Sequence, residues 1–433
     1  MILWLSALLF RLRLWIFDLF NLFFPSHRLA LSAQTILDRA IEAVGREPPP
    51  NSITRSPKWI EGLERLIPFD SGALRYSSRL LVEKSLVDAT IRVIKMEILT
   101  IEFPKIFALS PPLLKRPIIV SGGMARSATT ILQYLLCCYD DTLAFTLPQS
   151  KAVSHVDVAR CKDGDTLKAM MTKGVAREIK SMKILKKAGY MLPDRIYNAS
   201  ETSPASCVSL LDKYLHRISF ATLDGILIAD SSSLNENASF SRLAYQRYLN
   251  DLKLFANLYS DSSSHQRLVL KTSFHSIFTD DLVDVFPDAC LIRCLRDPVD
   301  AVPSLASFFY ETRRWLCRSD SEARRGVGDF ALRAQSVRCR ETVRQEGKRR
   351  FFDVRFSDIV RDPISVCQSI AGAFGLKHDV AVEERLRAFL DKQAQLKKTK
   401  WGKNVYSLEE YGLTVEKIRQ DTHIKEFCDL FGY

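Results

Sequence analysis

The run Gly122-Gly123-Met124-Ala125-Arg126-Ser127-Ala128-Thr129-Thr130 gathers the parts of an anion cradle into one short stretch. Glycines allow a tight backbone path, amides at a helix start point toward an anion, Ser127, Thr129 and Thr130 offer hydroxyls, and Arg126 brings a positive charge. Two further stretches carry chemistry downstream. Lys271 and His275 stand four residues apart, an ammonium that can neutralise charge and an imidazole that can take a proton near pH 7. Arg296 and Ser304 pair a guanidinium with a hydroxyl, which suits a terminal phosphate. Each stretch also has a plainer reading. A Gly-rich turn is a common connection, a lysine and a histidine at a strand end are often a surface pair and a packed imidazole, and Arg296 can serve a structural salt bridge.

The surrounding sequence predicts what positions these groups. Ile118-Ile119-Val120 is a β-branched run before the glycines, and apolar residues recur at helical spacing from Thr129, so the first stretch reads strand, tight loop, helix. Arg267-Leu268-Val269-Leu270 reads as a strand that ends at Lys271, and Ala289-Cys290-Leu291-Ile292 as one that gives out at Arg296, with Asp297 or Asp300 capping the next helix. In a doubly wound sheet the carboxyl ends of the strands converge on one crevice. A Walker A loop would need a lysine before a hydroxyl residue, and none precedes Thr129-Thr130. Gly225-Ile226-Leu227-Ile228-Ala229-Asp230 also spells a strand, its aspartate more suited to capping Ser231-Ser232-Ser233 than to holding magnesium.

With 433 residues, 47% of them hydrophobic, the chain has ample material for a large α/β core. The net charge of +12 suits an anionic ligand, an acidic membrane face or nucleic acid, and no recognition module supports the last. Ten cysteines without a C-x-x-C pair predict buried free thiols rather than zinc or disulfides. Residues 1–24 are very apolar but are interrupted by Arg11, Arg13 and Asp18, so a simple membrane span is disfavoured. The expectation is a segment (1–33) lying in a membrane interface with Trp4 and Trp15 immersed and Arg11, Arg13 and Arg28 near headgroups, making the protein membrane-associated. The competing reading packs this helix on the protein itself. A helical preface follows over 34–110, broken at Pro48-Pro49-Pro50 and resuming from Leu74 to Leu109. Between 151 and 187 a lysine-rich region predicts helices interrupted at Gly164, Gly174 and Gly189, and the arginines of 311–350 predict mostly solvated helix surface. Asn198 and Asn237 begin glycosylation sequons by spelling.

Ala125-Arg126-Ser127-Ala128-Thr129-Thr130 resembles the P-R-S-G-T-T loop of sulfotransferases that use 3′-phosphoadenosine 5′-phosphosulfate (PAPS), with alanines in place of proline and glycine. Leu270-Lys271-Thr272-Ser273-Phe274-His275 resembles that family's L-K-S-P-x-H segment, and Arg296 with Ser304 resembles its 3′-phosphate motif. The stretch from Val354 to Pro363 is similar to its V-R-Y-E-D-L-V-x-D-P element, and the large, mostly microbial branch carries a comparable helical preface.

The resemblance implies an α/β fold: a P-loop-like doubly wound parallel sheet flanked by helices, the catalytic domain occupying 111–433. It implies transfer of a sulfuryl group from PAPS to an acceptor hydroxyl, or an amine, releasing adenosine 3′,5′-bisphosphate (PAP). Arg126, Ser127, Ala128, Thr129 and Thr130 would hold the phosphosulfate, and Arg296 and Ser304 the 3′-phosphate, so that Arg126 and Arg296 grip opposite ends of the nucleotide. Arg126 and Lys271 would stabilise the transferring group and neutral His275 would take the acceptor proton, with no metal required. The acceptor would be a small molecule, lipid or carbohydrate, bound where 151–187 supplies a pocket and lid. Lys397-Lys398-Thr399-Lys400-Trp401-Gly402-Lys403 would close over adenosine phosphate. Two rivals stand beside this expectation: a P-loop-like nucleotide kinase, and an inactive membrane protein that keeps the fold, since Ala125 and Ala128 alter the loop.

Overall fold

The structure, a computed structural model, describes residues 2–23, 32–64, 75–108, 111–189, 200–215, 238–259, 266–314, 316–401 and 405–433. Among the described residues, five strands form one sheet: β1 (Ile118–Gly122), β2 (Thr142–Leu143), β3 (Arg267–Thr272), β4 (Cys290–Leu295) and β5 (Phe352–Arg355). Their order is β2-β3-β1-β4-β5, and every neighbouring pair is parallel. The chain therefore winds to one side of β1 and then crosses to the other, which makes the carboxyl end of β1 the switch point where such sheets bind ligands. This is the doubly wound α/β fold expected from the sequence.

Burial explains why the strands read as unbroken apolar runs. Ile119, Leu268, Leu270 and Leu291 pack into the cluster on one face, while Ile118, Val120, Val269, Ile292 and Cys294 pack into the cluster on the other. Both faces of β1, β3 and β4 are covered, so side-chain alternation leaves little polar phase in their sequence, whereas the edge strand β5 alternates, with Asp353 and Arg355 exposed.

Before the sheet come α1 (Ile2–Phe23), α2 (Ala33–Val44), α3 (Pro57–Glu64), α4 (Tyr76–Glu102) and α5 (Pro104–Ala108). The Ser32 side chain caps α2 and Gly45 closes it at φ +72°. The second preface helix stops at Phe103 instead of continuing to Leu109, because Pro104 lacks the amide that would extend the ladder. Ile36, Trp59, Leu63 and Val93 of this preface lie in the same hydrophobic cluster as Ile119 and Leu270 of the sheet.

After β1 come α6 (Thr129–Leu136), α7 (Leu147–Lys151), α8 (Gly164–Ala188), α9 (Val208–Leu215), α10 (Ala238–Tyr259), α11 (Thr279–Val285), α12 (Pro298–Arg314), α13 (Asp320–Arg324) and α14 (Val327–Arg344). Gly189 ends α8 as expected, but Gly174 does not interrupt it. A Cβ at Gly174 would lie 2.7 Å from the Ala152 carbonyl oxygen, so the glycine permits a close crossing rather than a break. Pro303 likewise sits inside a helix that has already begun at Pro298. The arginine-rich stretch is mostly solvated, as expected, with Arg313 and Arg338 the buried exceptions, the Arg338 guanidinium 4.8 Å from the centre of the Phe274 ring. All ten cysteines are free thiols and eight of them are buried.

The charges of α1 are spent differently from the interfacial reading. Arg11 Nε donates to the Ala188 carbonyl at the end of α8, 2.7 Å, and the Asp18 carboxylate accepts from both Ser77 N and Ser77 Oγ, 2.8 Å each, at the start of α4. A cation on exposed carbonyls and an anion on exposed amides both complement helix ends. No helix of the described residues is long and apolar enough to cross a membrane. The strand predicted at Gly225–Asp230, the asparagines of both sequons, Arg28, and Gly402 with Lys403 lie outside the described residues.

Candidate active site

Gly122 ends β1 against its own loop: a Cβ there would stand 2.4 Å from the Met124 carbonyl oxygen. The loop then passes through Arg126 and Ala128, both at φ +66°, the two non-glycine residues with positive φ among the described residues. Such conformations cost about 1–2 kcal/mol per residue and persist where surrounding structure enforces them, commonly at ligand sites. The enforcing contact here is Gln335 of α14, fully buried, whose amide donates to Ala125 O at 2.9 Å and accepts from Ala125 N at 3.0 Å. Thr342 Oγ1 adds a bond to Gly123 O, 3.0 Å.

Ala128 holds the backbone conformation that glycine is normally used for, directly before the first residue of α6. An alanine at this position therefore strains the loop. Ala128→Gly is expected to raise stability by roughly 0.5–1 kcal/mol, the relief of strain exceeding the added unfolded-state freedom. A urea unfolding midpoint that falls instead would show that the positive φ is not held in solution.

The sequence-predicted residues assemble around this loop in two linked groups. In the first, Lys271 at the end of β3 donates from Nζ to Thr130 Oγ1, 3.2 Å, so an ammonium lies at the opening turn of α6. Burial, opposed by Cys207 and reinforced by the nearby Arg126, holds the Lys271 ammonium down to about 8. In the second, Arg126 Nε donates to Ser304 Oγ at 3.2 Å, and the Arg296 guanidinium donates to the Arg126 carbonyl at 2.8 Å. Aromatic rings back both guanidinium groups, Phe308 at 5.7 Å from Arg126 and Phe356 at 4.1 Å from Arg296. Burial lowers the Arg126 pKa from its usual value, with Arg296 contributing. Arg126 and Arg296 thus meet at one junction.

Ser127 is engaged within the loop itself. Its buried hydroxyl donates to the Met124 carbonyl at 2.6 Å, so its proton serves the turn. Thr129 and Thr130 open α6 with their amides at its N-terminus.

His275 is fully buried one turn beyond β3. Its Nδ1 is 2.9 Å from the hydroxyl of Tyr245 on α10, and its Nε2 has no hydrogen-bond partner among the described residues. Burial and the Lys271 charge push the imidazole down to about 3, so it is neutral through the physiological range. Arg296 Nε is another buried polar atom without a partner among the described residues. Buried polar atoms are rarely left so unless they serve function or bind something.

Tyr245 and Gln335 were not found by sequence reasoning. Tyr245 stands thirty residues from His275 on a separate helix and carries no local signal. Gln335 did leave a trace, a polar residue on the face of α14 that also buries Ala331, Arg338 and Thr342.

Residues 117–380 match the family model described as "Sulfotransferase family". The chain is 27% identical over 172 residues to the omega-hydroxy-beta-dihydromenaquinone-9 sulfotransferases Stf3 of Mycobacterium bovis and Mycobacterium tuberculosis, a match that covers 38% of this chain and 41% of theirs. The chain therefore spans about two fifths of the length of these curated relatives. Among solved structures it superposes on sulfotransferase STF9 from Mycobacterium avium with a TM-score of 0.70 at 21% identity, covering 93% of this chain and 98% of that one. For sulfotransferase STF1 from Mycobacterium tuberculosis the TM-score is 0.67 at 18% identity, covering 90% and 98%. At these identities the two structures speak for the fold.

Proposed function

The chain belongs to the sulfotransferase family, and from that premise we propose that it transfers a sulfuryl group from PAPS to the hydroxyl, or less readily the amine, of an acceptor and releases PAP. The observation that carries this reading is the Lys271–Thr130 contact, which sets a buried ammonium at the N-terminus of α6 beside a strained loop. Three sources of positive potential, an ammonium, a helix start and Arg126, then surround one place, as the anionic phosphosulfate requires.

In the transfer, the acceptor oxygen forms a bond to sulfur as the bond from sulfur to the phosphate oxygen of PAPS breaks, and the acceptor proton must leave. Lys271 and Arg126 stabilise the charge that shifts onto the phosphate oxygen. With Tyr245 accepting from Nδ1–H, His275 presents the Nε2 lone pair, the tautomer a general base needs. A sulfonate beside it favours the imidazolium form and raises its basicity during the reaction. Arg296 and Ser304 take the 3′-phosphate, for which the unpartnered Arg296 Nε offers a donor.

The acceptor class is proposed to be lipid, within the wider set of small molecules, lipids and carbohydrates. The named substrate of the Stf3 relatives supports this, and so does the exposed apolar face of α1, which also supports a membrane-associated protein.

The test is titration of the whole chain with PAP, followed by transfer of labelled sulfate from PAPS to a lipid extract. Micromolar PAP binding and labelled lipid are expected. ATP turnover with magnesium and no PAP binding would overturn the reading. The titration also has an expected pH dependence. Below pH 8 free Lys271 is protonated and affinity is flat; above about 8 binding must first restore the proton, so affinity falls by up to about tenfold per pH unit. Unchanged affinity well above pH 8 would remove Lys271 from the anion site.

A further inference from the structure

Helix α1 is apolar on both sides. Its inner stripe meets the body through Ala7 and Leu14, which are buried, and it packs on α8 and α4. Its outer face carries Trp4, Leu5, Leu8, Leu9, Leu12, Trp15 and Ile16, and the two tryptophans are 62% and 59% exposed. Among the described residues these are seven of thirteen exposed large hydrophobics, and the other six are scattered from Ile101 to Leu430. Isolated exposed apolar residues are ordinary, but a contiguous face of them marks an interaction surface.

The charges beside that face identify what it meets. Arg11 is turned inward onto the last carbonyl of α8 and Asp18 onto the first turn of α4, so α1 lies along the surface, held at two helix ends. The helix it leans on, α8, has seven lysines and arginines and two acids, one of which, Glu178, is paired with His155. Lys180 and Lys187 are exposed within the last turns before Ala188, where Arg11 docks, and Lys183 beside them pairs with Glu201 at 3.1 Å.

Resting on the membrane association proposed above, we infer that α1 and the basic side of α8 form one docking surface for a bilayer rich in anionic headgroups, the α1 face entering the acyl boundary and the α8 lysines meeting lipid phosphates. Tryptophans at both ends of the exposed face suit this depth, where one side of the ring is wet. Juxtamembrane lysines add to such binding when the surface is negative and do nothing at a neutral one. A second copy of the chain is a poorer occupant, because pairing through α1 would bring two basic α8 helices together.

The test is flotation of the full chain with vesicles of phosphatidylcholine alone and of phosphatidylcholine mixed with phosphatidylglycerol, alongside sedimentation without lipid. Binding to the mixed vesicles about tenfold or more stronger than to neutral ones is expected, reduced by salt. Leu8→Asn with Leu12→Asn, on the exposed face, should abolish binding to both, whereas Lys180→Gln with Lys187→Gln should erase the anionic preference and keep the neutral binding. Equal binding to both vesicles overturns the anionic surface and leaves membrane association standing. Absence of binding to either overturns both, and a dimer dissolved by the asparagine pair would then assign the face to a second copy.

Discussion

Replacing His275 with alanine is expected to lower kcat by about 10²–10⁴-fold while PAP affinity stays within about twofold, the pattern of a lost general base. The imidazole is buried, so the alanine variant also loses packing, and His275→Asn serves as a second, better-filled variant. Tyr245→Phe separates base from support. It keeps the ring and removes the hydroxyl 2.9 Å from Nδ1, so the tautomer is no longer fixed and kcat should fall about tenfold with KM little changed. Burial already holds the imidazole near 3, so the free enzyme should show no activity limb around pH 6.5. If both His275 variants folded and kept wild-type kcat, the residue would be a packed core histidine.

Arg296→Ala is expected to weaken PAP binding by about 10- to 150-fold, the loss of a charge-assisted hydrogen bond to phosphate. The informative comparison is with adenosine 5′-phosphate, which lacks the 3′-phosphate. The Arg296 penalty should vanish with that ligand, whereas the Arg126→Ala penalty should persist, because Arg126 belongs to the loop around the 5′ end. This matters because the two side chains meet in the structure, Arg126 on Ser304 and Arg296 on the Arg126 carbonyl. Loss of the Arg126 penalty with adenosine 5′-phosphate would assign both arginines to the 3′ end. An Arg296→Ala protein that is folded and binds PAP normally would dissolve the site.

The centre of the sheet was legible because its strands are buried on both faces and so spell plain apolar runs, as Ile118 to Val120 and Leu268 to Leu270 do. The candidate site residues Arg126, Lys271 and Arg296 were legible because each follows a strand end, where the sheet brings them together. What could not be read were partners supplied across the fold. Nothing near Tyr245 announces His275, and Gln335 reaches back to Ala125 from a helix that looked merely basic. Gly174 misled for a related reason, since its meaning lies in Ala152 across a crossing and not in its neighbours in sequence. Arg11 and Asp18 likewise gave no sign of their partners, which are the ends of two other helices.

The pairing of β1 also bears on how the chain is made. Ile118 finds its neighbours in Val269 and Cys290, both far downstream. At ribosomal speeds of about 5–20 residues per second, β1 and its loop wait roughly ten to thirty seconds for those strands to emerge. During that interval a bare β-branched segment is available to any passing edge, so nascent chains of this protein should depend on chaperone cover until β4 has left the ribosome.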